Sequence, residues 1–196
     1  MDYSFIEVGT SDFDTLTQAS GYDVTGIAIE PLAIYLDRLP SPPKVRKLCM
    51  AVSPDNLSGT AKMYWLPEAA IAEHKLPAWL RGCNSLNHPH PQHTALNILP
   101  LVQVSQVPVL PIGHVWTMNM IGKVGRLKLD TEGCDADILL HLHAHLESLN
   151  LPWPDQITFE ANSLTNRARV TEVIRLYQAK GYGCCDNGND VTMLRR

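Results

Sequence analysis

The stretch Phe5-Ile6-Glu7-Val8-Gly9-Thr10-Ser11 decides the reading of this chain: an apolar run breaks into a carboxylate and a glycine. Past the middle, Leu127-Lys128-Leu129-Asp130-Thr131-Glu132-Gly133 repeats the arrangement. In an open α/β sheet, ligands occupy the crevice outside the carboxyl ends of the strands, where a glycine lets backbone approach a bound molecule. The two stretches therefore predict two strand ends that share one binding site.

Val24 to Ile29 reads as a second strand ending at Glu30. Pro31 then opens a segment with Leu32, Tyr35, Leu36 and Leu39 at helical spacing. Beyond the break at Pro40 to Pro43, Val45 to Val52 reads as one third strand, and Thr60 to Leu66 as an added one. A helix is expected near Glu68 to His74, followed by a long polar stretch running to His93. Strand character returns at Val102 to Leu110 and Val124 to Asp130, with a short helix from Val115 to Ile121 between them.

Asp135 to Leu149 and Arg167 to Lys180 carry apolar residues on one helical face, the latter stopping at Gly181. Gln156 to Phe159 is a strand ending at Glu160, and Tyr182 to Asp186 with Val191 to Leu194 around Asn187-Gly188 is a closing hairpin. Strands alternating with helices predict an α/β fold, a mostly parallel doubly wound sheet with an antiparallel C-terminal hairpin, in a single domain over residues 1–196. The immediate entry into the first strand fits a minimal domain or one excised from a longer chain.

A net charge of −4, with Lys and Arg scattered, gives no basic stripe for nucleic acid or an anionic membrane. The five cysteines show no metal-type spacing and no disulfide framework, and no apolar run is long enough to span a bilayer. A protein of a reducing, cytoplasmic compartment is the expectation, with a small molecule or oligosaccharide as partner.

Glu30 follows Glu7 and Gly9 by some twenty residues, the spacing at which a carboxylate accepts hydrogen bonds from ribose hydroxyls. The phosphate-cradling glycine triplet of dinucleotide sites is missing. Instead the loop Gly9 to Asp14 carries Asp12 and Asp14, which would repel a pyrophosphate. A ligand with a ribose and no phosphates is implied, and S-adenosylmethionine, with its cationic sulfonium and ammonium groups, meets that description.

The segments Phe5 to Asp14, Ile27-Ala28-Ile29-Glu30-Pro31, Ala51-Val52-Ser53, Lys128-Leu129-Asp130-Thr131-Glu132-Gly133 and Ile157 to Asn162 resemble, in order, the motifs of FkbM-type S-adenosylmethionine-dependent methyltransferases. The resemblance implies a Rossmann-like methyltransferase sheet and methyl transfer to oxygen, often a sugar hydroxyl. It puts Glu7 and Gly9 by the methionine moiety, Glu30 by the ribose, and Ala51 and Val52 by the adenine, with Thr10, Ser11 and Pro31 also among the expected cofactor contacts. Glu7 stands where many members carry aspartate, and the stretch from Pro67 to Pro100 matches no motif in detail.

A sugar hydroxyl needs deprotonation as it attacks. Asp130, also counted among the cofactor-side residues, is the expected general base, with His90 or His93 of the polar stretch as alternatives. Asp130, Glu160 and Asn162 could offer hard oxygens to Mg²⁺ or Mn²⁺. Glu132 and Glu160 could instead cap the following helices or pair with Lys128 and Arg167. Ser85, Asn87, Trp79, Glu132 and Glu160 are the expected substrate contacts. His141 and His145 are one helical turn apart and read as a solvated face. The competing functions are a catalytically inactive nucleoside-binding module of a larger enzyme and a nicotinamide-dependent oxidoreductase.

Overall fold

A computed structural model describes residues 1–13 and 15–196; Asp14, one of the two loop aspartates above, lies outside the described residues. The first strand, β1 (Tyr3–Val8), is central and its Phe5, Ile6 and Val8 are buried, as an apolar strand covered on both faces must be. It pairs in parallel with β2 (Gly26–Ile29), and β2 with β3 (Val45–Leu48). Between them lie two one-turn helices, α1 (Leu16–Ala19), held by a capping box of Thr15 and Gln18, and α2 (Ala33–Leu36).

The chain then leaves this sheet. Ala51 and Val52 do not continue β3: they form β4 (Ala51–Val52), which pairs in parallel with β7 (Gln103–Leu110) in a second sheet. The expected single strand from Val45 to Val52 is thus two strands in two sheets. β7 also pairs antiparallel with β5 (Gly59–Trp65), which pairs with the two-residue β6 (Ser85–Leu86), giving the order β4-β7-β5-β6.

The connection from β5 to β7 holds α3 (Glu68–Glu73), a 3₁₀ turn (Ala78–Gly82), α4 (Pro91–Ala95) and a second 3₁₀ turn (Leu99–Leu101). The polar stretch is therefore not a bare loop. Its turns gather around Leu66, Ile71, Leu80, Cys83 and Ile98, a small separate core.

After α5 (Ile112–Met118) the chain returns to the first sheet with β8 (Val124–Leu129), parallel to β1 on the side opposite β2. Next come α6 (Asp135–Ser148), β9 (Gln156–Glu160), α7 (Arg167–Gln178), β10 (Tyr182–Asp186) and β11 (Asp190–Arg195). The sheet order is β10-β11-β9-β8-β1-β2-β3, with β11 antiparallel to both neighbours, as the expected hairpin requires.

Alternate residues of a strand face opposite sides. Ile27 and Ile29 join the main core with α5, α6 and α7, whereas Ala28 points the other way, toward Leu36 and Leu39 beside α2. The strand order reverses between β1 and β8, so their carboxyl ends diverge into a crevice, the place where such sheets bind ligands. The second sheet supplies a wall over that crevice.

Candidate functional site

A cavity of about 330 Å³ opens at the carboxyl ends of β1, β2 and β8. Its floor includes Gly9, Thr10, Ser11, Glu30 and Pro31, and Asp130 and Glu132 stand at one side. Met50, Ala51, Val52, Met63 and Leu86 make an apolar wall, so the switch of the chain from β3 into β4 is what brings Ala51 and Val52 to the site. Trp79 borders the cavity with half its surface exposed.

Gly9 is a glycine for two reasons: its φ is +78°, and a Cβ there would lie 1.9 Å from the carbonyl oxygen of Asp130. The loop above it is tied down by carboxylates. Glu30, 3% exposed, accepts from the backbone N–H groups of Ser11 (2.8 Å) and Leu32 (2.9 Å), one to each oxygen. A carboxylate has about four lone-pair sites, so each oxygen keeps capacity for a ligand hydroxyl. Burial pushes the pKa of Glu30 up to about 7.

Glu7 does not reach the cavity. It is fully buried, accepts from Leu16 N–H at 2.8 Å at the start of α1, and pairs with Lys128 at 3.1 Å. Burial raises its pKa, and Lys128 opposes the rise. Its position is that of an anchor for the loop rather than of a group beside a ligand. Asp12 also turns away from the cavity, to Arg38 (3.0 Å) and Arg81 (3.5 Å), so it exerts no bare negative charge on a bound molecule.

At the other strand ends, Asp135 carries much of the architecture. Fully buried at the start of α6, it accepts from Thr131 N–H (2.9 Å), from the Thr131 hydroxyl and from Glu160 N–H (2.8 Å), joining the β8 loop to the end of β9. Its pKa is raised to about 7 by burial. Glu160 lines the cavity, and burial together with the charges of Glu132, Asp130 and Asp135 pushes its pKa to about 8. Asp130 is raised by desolvation in the cleft, with Lys128 3.9 Å away pulling it back.

The trio Asp130, Glu160 and Asn162 does not form an oxygen ligand set. Asn162 accepts from Leu164 N–H through Oδ1 and donates its amide to Glu160, so it presents a donor, not an oxygen, to its neighbour. Among the described residues Arg167 pairs with Asp186, and Lys128 with Glu7 and Asp130.

The polar stretch splits by position. Ser85 is buried and donates to the carbonyl of His88, while Asn87 is exposed at φ +66° and donates its N–H to Lys62; neither lines the cavity. His90 and His93, although they belong to the polar stretch, are buried. His93 is fully buried within α4, its pKa lowered by burial, and His90 is 3% exposed at the helix N-cap. His90 Nδ1 accepts from Gln92 N–H at 3.2 Å, which leaves Nε2 to carry the proton, and Nε2 lies 3.1 Å from Glu132 Oε2.

Glu132 reaches His90 because φ is +55° at Glu132 and +103° at Gly133, two successive left-handed residues that turn the chain after β8. Cys83, following the first 3₁₀ turn, completes this corner: its thiol, the His90 ring and the Glu132 carboxylate bring ligand atoms within 4.8 Å of one another. No spacing in the sequence announces that group, since its members come from three segments.

On α6 the histidines are half-buried rather than a solvated face. His143 packs against Trp153 and Tyr177, with ring centroids 5.1 and 5.5 Å away, and His145 lies against Gly113 of α5. All five cysteines are free, and no helix among the described residues is long and apolar enough to cross a membrane. No protein-family model matches the chain, and no curated protein matches it significantly.

Proposed function

We propose that the chain is an S-adenosylmethionine-dependent O-methyltransferase of Rossmann-like fold, acting on a sugar hydroxyl of a glycan or glycosylated metabolite. One observation carries this reading. The cavity at the β1–β8 crossover has four carboxyl groups among its described lining, Glu30, Asp130, Glu132 and Glu160, with no lysine or arginine, and a bound cation would favour the ionised form of those whose pKa burial raises. Such a site favours a cationic ligand and opposes a pyrophosphate. Asp12 adds nothing to this effect, because its charge is met by two arginines.

The residues fit the cofactor. The spare lone pairs of Glu30 suit a ribose diol, the apolar wall of Met50, Ala51, Val52 and Met63 suits an adenine, and the volume lies within the roughly 300–1,000 Å³ of small-molecule sites. When bound, S-adenosylmethionine supplies an electrophilic methyl group. The protein's part is to hold the acceptor oxygen in line and to take its proton. Asp130, at the cavity edge with its pKa raised above the ordinary aspartate value by desolvation, suits the second task.

Calorimetric titration with S-adenosylhomocysteine tests the reading, with and without Mn²⁺. Binding that weakens at least about tenfold in Glu30→Ala, with none detected for NADH, is expected. Absence of binding under both conditions would remove the methyltransferase, and binding without turnover on a broad panel of glycan acceptors would favour the inactive module.

A further inference from the structure

We propose that Cys83, His90 and Glu132 form a binding site for Zn²⁺ or a similar borderline divalent metal, open toward the cavity. The proposal stands on this corner of the fold and not on the methyltransferase reading.

The three ligand atoms lie within 4.8 Å of one another, close to the separation a single ion can span with bonds of about 2.0–2.3 Å after small side-chain shifts. Cys83 and His90 are buried, and Glu132 is partly buried with 18% of its side chain exposed, which limits competing water to the cavity side. Cys83 and Glu132 also line the cavity, so a fourth position would face the ligand-binding space. Three protein ligands and one open position is the pattern of metal sites that do chemistry rather than hold a fold together.

The donor set selects the metal. One sulfur, one imidazole nitrogen and one carboxylate oxygen suit zinc, whereas Mg²⁺ and Ca²⁺ take oxygen shells. This separates the corner from the all-oxygen set expected at Asp130, Glu160 and Asn162, which Asn162 disrupts by turning its amide donor to Glu160.

Two proton movements must accompany binding. Burial and the charges of Glu132 and Glu160 hold the Cys83 thiol protonated, with a pKa near 12; a divalent cation reverses that local balance and the thiol leaves as a thiolate, releasing about one proton per metal. His90 must free Nε2, moving its proton to Nδ1 and giving up the 3.2 Å bond from Gln92 N–H. That bond is long and caps only a five-residue helix, so it is a weak competitor. The nearby His93 faces His90 with ring centroids 5.8 Å apart and has, among the described residues, no hydrogen-bond partner on either nitrogen.

The test is titration of the chelator-stripped full chain with Co²⁺, followed by absorption. Expected are saturation at about one ion per chain, a near-ultraviolet thiolate-to-cobalt band, and displacement of that band by Zn²⁺. Cys83→Ser should abolish the band while the exposed Cys49→Ser keeps it, and Glu132→Gln should weaken Co²⁺ at least about tenfold. Circular dichroism identifies any variant that has unfolded; if Cys83→Ser does so, the Glu132→Gln affinity decides. No thiolate band in the wild type, a band that survives in folded Cys83→Ser, or unchanged affinity in Glu132→Gln would overturn the site and leave His90 and Glu132 as a plain hydrogen-bonded pair.

Discussion

Gly9 and Asp130 meet where β1 and β8 end: the space a Cβ of Gly9 would take lies 1.9 Å from the Asp130 carbonyl oxygen. The two motifs that mark the sequence are thus in contact through backbone. The glycine is required by the neighbouring strand end whether or not a ligand is present.

Gly9→Ala should therefore destabilise the fold itself. A left-handed φ costs a residue with a side chain about 1–2 kcal/mol, and the clash with backbone adds to it, so a loss of about 3 kcal/mol is expected. Urea unfolding measures it. A loss below about 0.5 kcal/mol would mean that the β1 and β8 ends can part freely.

Asp135→Ala should be similarly costly for a different reason. It strands the partly buried N–H groups of Thr131 and Glu160, each costing up to roughly 1–3 kcal/mol without an acceptor. Asp135→Asn keeps an acceptor oxygen and should retain part of that stability. Equal unfolding midpoints for Asp135→Ala and wild type would refute the role given to this carboxylate.

The legible parts of this chain are those written by local pattern. Tyr3–Val8, α6, α7 and the hairpin around Asn187-Gly188 follow from apolar period, cap and turn, and their bounds agree with the structure to within a residue or two. The break between β3 and β4 is not written locally. Cys49-Met50 contains neither proline nor glycine, and Ala51 and Val52 change sheets because their partners are Val109 and Leu110, far along the chain. His93 illustrates the same limit: a polar stretch rich in proline and histidine reads as exposed, yet short turns fold it over a separate core. At the site, acidic strand ends identified most of the cavity floor, while Cys83 carried no signal because its companions are brought to it only by tertiary structure.

Stability should fall as pH rises across the neutral range. The raised values of Glu30 and Asp135 (about 7) and Glu160 (about 8) mean that, above the ordinary carboxylate range, the folded chain holds protons the unfolded chain has lost. Unfolding then becomes more favourable with each pH unit until those groups ionise, by at most about 1.4 kcal/mol per unit per group. Glu160→Gln mimics the protonated acid, so it should match wild type near pH 4 and exceed it at pH 8.5. A variant no more stable than wild type at pH 8.5, by urea midpoint, would show that the Glu160 charge is not a burden.

Asp130 separates binding from chemistry. Its carboxylate is raised by the cleft and steadied by Lys128, it borders the cavity, and its side chain remains 45% exposed where an acceptor would enter. Asp130→Asn keeps shape and hydrogen-bonding oxygen but cannot take a proton. On the methyltransferase reading it should lower kcat at least about 100-fold, while the Kd for S-adenosylhomocysteine, which has no sulfonium charge to lose, changes less than about tenfold. Because the base must be ionised, wild-type kcat/KM should fall on acidification below a pKa above the ordinary aspartate value, and that acid limb should vanish in the variant's residual activity. A parallel loss of binding and turnover would make Asp130 a cofactor contact, and full activity in the variant would transfer the proton to another carboxylate at the cavity, Glu132 or Glu160.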